Sequence, residues 1–194
     1  EYRGGGTVEM VTHDFIRWAE PPLKEEAGTP NIMGAVALAA AIKSLNWIGM
    51  ERIESNERLL MHHAIRELKN MPDIKLYHDG NEQDSVGIIS FNILDMPHQM
   101  VAQILSYEGG IAVRSGCFCA QPYIQKLLGL SSEEIQRRIQ DPKSAHPGMV
   151  RISFGLYNTM EEVEKFVNLL YHIIKNKSGY LKKYQHLLPD DIKP

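Results

Sequence analysis

Between residues 32 and 48 apolar side chains recur at nearly every position, and only Lys43, Ser44 and Asn46 interrupt them. A helix apolar around its whole circumference belongs in an interior, so the pattern predicts a buried helix whose many alanines allow close packing. From Glu51 to Asn70 the spacing turns amphipathic, with Leu60, Met61, Ala64, Ile65 and Leu68 on one side. The period then shortens. Ile74–Tyr77 and Val86–Ile93 read as an antiparallel pair of strands around a turn at His78–Asn81. Pro97 opens a helix carrying Met100, Val101, Ile104 and Leu105, stopped by Gly109 and Gly110. A strand at Ile111–Arg114, short helices at Pro122–Leu128 and Ser132–Ile139, and a loop from Asp141-Pro142 to His146-Pro147-Gly148 follow. Met149–Phe154 alternates, with Val150, Ile152 and Phe154 on one face and Arg151 and Ser153 on the other. A last strong helix, Glu161–Lys175, is expected to bury Val163, Phe166, Val167, Leu170, Tyr171 and Ile174. The opening stretch, with Trp18, Pro21 and Pro22, reads as an irregular arm, and the polar tail beyond Ser178 as peripheral.

This order of elements predicts an α+β fold, a small, mainly antiparallel sheet with helices packed on one face. With 194 residues and 43% hydrophobic content, the chain suffices for one good core. A net charge of -3 with both signs interspersed offers no footprint for nucleic acid or an anionic membrane. No apolar run is long enough to span a bilayer, so neither partner is expected. Cys117 and Cys119 are too close for an unstrained disulfide, which points to reduced thiols and a cytoplasmic setting. The opening Glu1, in place of methionine, suggests a piece of a longer protein.

Chemistry gathers around those cysteines. Cys119 lies in a glycine-containing loop just after a strand, five residues beyond Arg114. A neighbouring cation and a partly exposed loop both favour the nucleophilic thiolate, whereas the alternative is a pair of small buried hydrophobes. Arg151 faces away from the apolar side of its strand, toward solvent or a pocket. Its planar fork of donors suits a substrate carboxylate. The glycine run Gly4–Gly6 lacks the strand and the Lys-Ser/Thr of a phosphate loop. No histidine stands at a zinc-binding spacing from the cysteines, so no metal is expected. His62 and His63, adjacent on a helix, point in different directions.

Several motifs occur together in an order that resembles the C-terminal part of group II cysteine desulfurases, within the class V aminotransferase family. Gly4-Gly5-Gly6 resembles the run that follows the family's cofactor lysine, and Glu26-Ala27-Gly28-Thr29-Pro30-Asn31 matches a family block. Ile111-Ala112-Val113-Arg114-Ser115-Gly116-Cys117-Phe118-Cys119-Ala120 resembles the catalytic-cysteine loop. Val150-Arg151-Ile152-Ser153-Phe154 leads into Tyr157-Asn158-Thr159, as in that family. The resemblance implies a fold type I enzyme, normally a homodimer, using pyridoxal 5'-phosphate to convert L-cysteine to L-alanine. Cys119 would take the substrate sulfur as a persulfide and pass it to an acceptor protein, a transfer of the kind that feeds iron–sulfur cluster assembly. Arg151 would bind the substrate carboxylate, Arg114 would steady the cysteine loop or its charged sulfur, and Thr29 would reach the cofactor phosphate across the dimer interface. Cys117 stands where relatives often carry a different residue, which leaves its role open, at most that of a resolving or spare thiol.

On this resemblance residues 1–30 close a large domain that is otherwise missing, 31–176 form the small domain and 177–194 a peripheral tail. The lysine that the family carries after a Ser-x-His motif has no counterpart here. The chain is therefore expected to act only with a complementary N-terminal domain or a dimer partner. Two other readings stand beside this one: another class V aminotransferase or lyase acting on an amino acid, and a non-catalytic domain for dimerisation or partner binding.

Overall fold

The computed structural model describes residues 4–77, 85–141 and 146–187. The expected turn at His78–Asn81 lies outside them, as does Pro142. The chain forms two compact units, Glu1–Met50 and Glu51–Pro194.

In the first unit the opening stretch is ordered where an irregular arm was expected. β1 (Val8–Val11) pairs antiparallel with β2 (Ile16–Trp18), with a register irregularity between Val8 and Met10. The Thr7 hydroxyl donates to the Gly4 carbonyl at 2.7 Å, and the Ala19 amide donates to Thr7. The Gly28 amide in turn donates to the Gly5 carbonyl at 2.9 Å, so the glycine run lies against the Ala27–Gly28 turn. A Cβ on Gly4 would come within 3.1 Å of the Ala27 Cβ, which explains the bare backbone there.

α1 (Ile32–Ile48) begins at Asn31, whose Oδ1 accepts from the Gly34 amide at 2.9 Å. The expectation of burial is overturned: none of its side chains is buried, and Met33 and Trp47 are 78% and 88% exposed. An apolar circumference records the need for a cover without supplying one.

The second unit holds the core. Its sheet has four strands in the order β3-β4-β6-β5, formed by Ile74–Leu76 (β3), Ile88–Ile93 (β4), Arg114–Gly116 (β5) and Met149–Ser153 (β6), and every pairing is antiparallel. The α+β arrangement read from the sequence is the one found. On one face Ile89, Phe91, Ile93, Val150 and Ile152 pack into the core with side chains from α2 (Met50–Lys69), α3 (His98–Gly109) and α6 (Met160–Lys175). Phe91 is fully buried and meets Phe166 edge-on, with ring centres 5.9 Å apart.

Asn158 and Thr159 act locally at the head of α6. Asn158 Oδ1 accepts from the Gly155 amide, while Thr159 and Glu162 form a reciprocal capping box. Tyr171 departs from expectation and is 51% exposed on that helix. The polar tail departs as well, because Lys177–Tyr184 forms a further helix, α7. Tyr184 is buried in the core and donates its hydroxyl to Glu108 of α3. Lys177 fastens the start of α7 through the Asp73 carboxylate and the Leu94 carbonyl.

Candidate active site

β5 and the turn after it carry Arg114, Cys117 and Cys119. In the sheet Arg114 lies opposite Arg151, and Ser115 opposite Val150. Residues directly opposite share a face. Arg114 and Arg151 therefore lie on the face turned away from the helices, whereas Ser115 points with Val150 toward the core. The side assigned to Arg151 from strand alternation is the side it takes.

Beyond Gly116 the chain reverses. The Ala120 amide donates to the Cys117 carbonyl at 2.9 Å, closing a four-residue turn. Its two central residues, Phe118 and Cys119, both have positive φ, 54° and 59°. That is the φ pattern of a type I′ turn, filled here by side chains that cost about 1–2 kcal/mol each in the left-handed region. Backbone held in this way tends to sit where a side chain must be presented. Cys119 is exposed at the tip and Cys117 half-buried behind it.

The Phe118 ring folds back over Arg151, with the guanidinium carbon 5.2 Å from the ring centre. Arg151 Nε is buried without a hydrogen-bond partner among the described residues. A buried guanidinium donor left without a partner is suited to an anion. Cys117, Cys119 and Arg114 also line a cleft of about 750 Å³, closed by α4 (Gln121–Leu128) and α5 (Ser132–Gln140). Arg151 is not part of that lining; Phe118, which is, links the two. Among the described residues no cluster of histidine, cysteine or carboxylates has the makings of a metal site.

Sequence reasoning missed one part of this neighbourhood. His98, the first residue of α3, borders the cleft, with Nδ1 2.7 Å from Ser115 Oγ and Nε2 3.1 Å from the His146 carbonyl. Burial holds its imidazole below the usual histidine range, partly countered by the bond to that carbonyl. No local motif joins His98 to Ser115.

Thr29 lies in the first unit, exposed between Gly28, with φ of 81°, and the capped start of α1. Its hydroxyl is open, whereas the Ile32 and Gly34 amides of the first turn are taken by the Pro30 carbonyl and Asn31 Oδ1.

An antiparallel sheet covered by helices on one face is compatible with the small domain of fold type I pyridoxal-phosphate enzymes. Comparison with known proteins gives the family: the Aminotransferase class-V profile matches residues 2–166, and the chain belongs to that family. It is 38% identical over 173 residues to a probable cysteine desulfurase of Pyrococcus abyssi, covering 89% of this chain and 38% of that protein. A cysteine desulfurase of Haloferax volcanii is 35% identical over 167 residues, covering 86% of this chain and 35% of that protein. Among solved structures, the apo cysteine desulfurase of Thermococcus onnurineus superposes with a TM-score of 0.72 at 37% identity, covering 90% of this chain and 39% of that one. An Escherichia coli cysteine desulfurase in an S-sulfonic acid form gives a TM-score of 0.71 at 28% identity, covering 90% of this chain and 38% of that one. The chain thus spans little more than a third of the length of these relatives.

Proposed function

We propose that this chain supplies the sulfur-accepting portion of a cysteine desulfurase, with Cys119 as the nucleophile and L-cysteine as the substrate. The observation that carries the reading is the orphaned Arg151 Nε beneath a strained turn that presents Cys119. Arg151 holds the substrate carboxylate through charge-assisted hydrogen bonds. The Cys119 thiolate attacks the substrate sulfur, a new S–S bond forms and the C–S bond breaks. The bonding pair stays on carbon, which takes up a proton to give L-alanine and leaves a persulfide on Cys119. Pyridoxal phosphate, when bound, delocalises that electron pair. Thr29 contributes a hydroxyl to the cofactor phosphate, and Arg114 steadies the charged sulfur until an acceptor protein takes it.

No lysine in residues 1–194 follows a Ser-x-His motif, which supports a reading in which another polypeptide segment provides the covalent attachment point of the cofactor. The bare apolar surface of α1 supports the same view, because in the working enzyme such a surface is covered by a large domain or a dimer partner. The test uses this chain together with the segment that carries the lysine. Incubation with L-cysteine should give alanine and a mass increase of one sulfur on Cys119, both lost in Cys119→Ser. Alanine and sulfide formed at an undiminished rate by Cys119→Ser would remove the thiol from its role. Mixed with pyridoxal phosphate, the 194-residue chain alone should develop no imine absorbance band; such a band would overturn the need for a second segment.

A further inference from the structure

The two hydrogen bonds of His98 constrain where its ring protons sit. A carbonyl can only accept, so the Nε2 that faces the His146 carbonyl at 3.1 Å carries the proton. The remaining nitrogen of a neutral ring can only accept, so the Ser115 hydroxyl donates to Nδ1 across 2.7 Å. The lowered proton affinity that burial imposes agrees with a neutral ring. His98 therefore uses both ring nitrogens to tie together parts of the chain far apart in sequence, 17 residues away at Ser115 and 48 at His146.

The surroundings fit the ring closely. A Cβ on Gly148 would fall 2.7 Å from two His98 ring atoms and 2.7 Å from the Gly116 Cα. Glycine at 148 thus allows β5, the ring and the run into β6 to close on one another. The Gly148 carbonyl is held from another side by Asn92 of β4, at 3.1 Å. β5 needs such support, being a three-residue edge strand paired only to β6 and ending in a turn with two strained residues.

We propose that His98 is a positioning residue which, as the Nε2–H tautomer, clamps Ser115 to the His146 carbonyl and thereby sets where the cysteine turn stands over Arg151. The two contacts work from opposite faces of one strand. Ser115 is held from the core side by His98, while Phe118, three residues on, rests on Arg151 on the other side. Loss of either partner of the clamp frees the same short segment. Its catalytic meaning rests on the reading of Cys119 as the sulfur acceptor; the clamp itself does not.

The test separates the two. In the ¹⁵N-labelled 194-residue chain, long-range ¹H–¹⁵N correlations assigned with His98→Gln should show a neutral Nε2–H ring at pH 7.5 (about one unit above the ordinary histidine pKa). Hydrogen exchange at the amides of residues 116–120 should rise about fivefold in Ser115→Ala and in His98→Leu, the size expected for one lost hydrogen bond. The double variant should rise no further than either single one, and Ser115→Thr, which keeps the hydroxyl, should restore the slow exchange. In a Cys117→Ser background the alkylation rate of Cys119 should change in the same two single variants and return in Ser115→Thr. An Nδ1–H or charged ring, unchanged exchange, additive effects in the double variant or failure of the threonine rescue would each overturn the clamp. The tautomer is read on the unsubstituted protein, so a variant that misfolds leaves the proposal open to refutation. A clamp that passes these tests while Cys119 gains no sulfur from L-cysteine would sink only the functional reading.

Discussion

The guanidinium of Arg151 and the ring of Phe118 lie 5.2 Å apart, and Phe118 immediately precedes the Cys119 thiol. A guanidinium and a thiol from distant parts of the chain are thus linked through one aromatic side chain. In the assembled enzyme Arg151→Ala should lower kcat/KM for L-cysteine about 10- to 150-fold, the value of a charge-assisted hydrogen bond. Phe118→Ala, which removes only the stacking, should cost about two- to fivefold. Steady-state alanine release measures both, and an Arg151→Ala enzyme with an unchanged kcat/KM would exclude the carboxylate role.

Gly148→Ala should destabilise the second unit by about 1–3 kcal/mol, because the added methyl meets a ring and backbone with no room to retreat. Urea unfolding gives the value directly. A stability equal to the wild type would mean that the β5–β6 edge is looser than its contacts indicate.

Thr159→Ala removes the side-chain half of a capping box at the head of α6 and should cost about 1 kcal/mol, while Thr159→Ser should be nearly neutral. Thermal unfolding of the two variants side by side provides the comparison. Equal losses would assign the effect to the methyl group instead of the hydroxyl.

The folded state holds the His98 proton affinity below the ordinary 6.5, so the unfolded chain binds that proton more readily. Its contribution to stability is complete above about pH 6.5 and declines as the pH falls through the folded-state value. Between about pH 7 and pH 5 the unfolding free energy of the wild type should fall more steeply than that of His98→Gln. Parallel slopes would show that the ring titrates alike in both states.

Elements whose own apolar spacing marks the buried face were legible from the sequence. Val150, Ile152 and Arg151 declared their faces by alternation, and the Met100–Leu105 stripe declared the buried side of α3. The β1–β2 hairpin was hidden because its strands are short, irregular in register and mostly exposed, leaving no alternation to read. α7 was masked by its lysines and Gly179, its helical state being secured by Tyr184 and Lys177 reaching other elements. At the site, Cys119, Arg114 and Arg151 could be picked out by residue type and setting. The bond from Ser115 to His98 could not, because a contact spanning 17 residues between two common polar side chains leaves no periodic trace.

The nakedness of α1 has a practical side. Expressed by itself, this polypeptide carries its oiliest segment on the outside, so concentration will govern how it behaves in a test tube. Dilute samples should remain dispersed and crowded ones should clump.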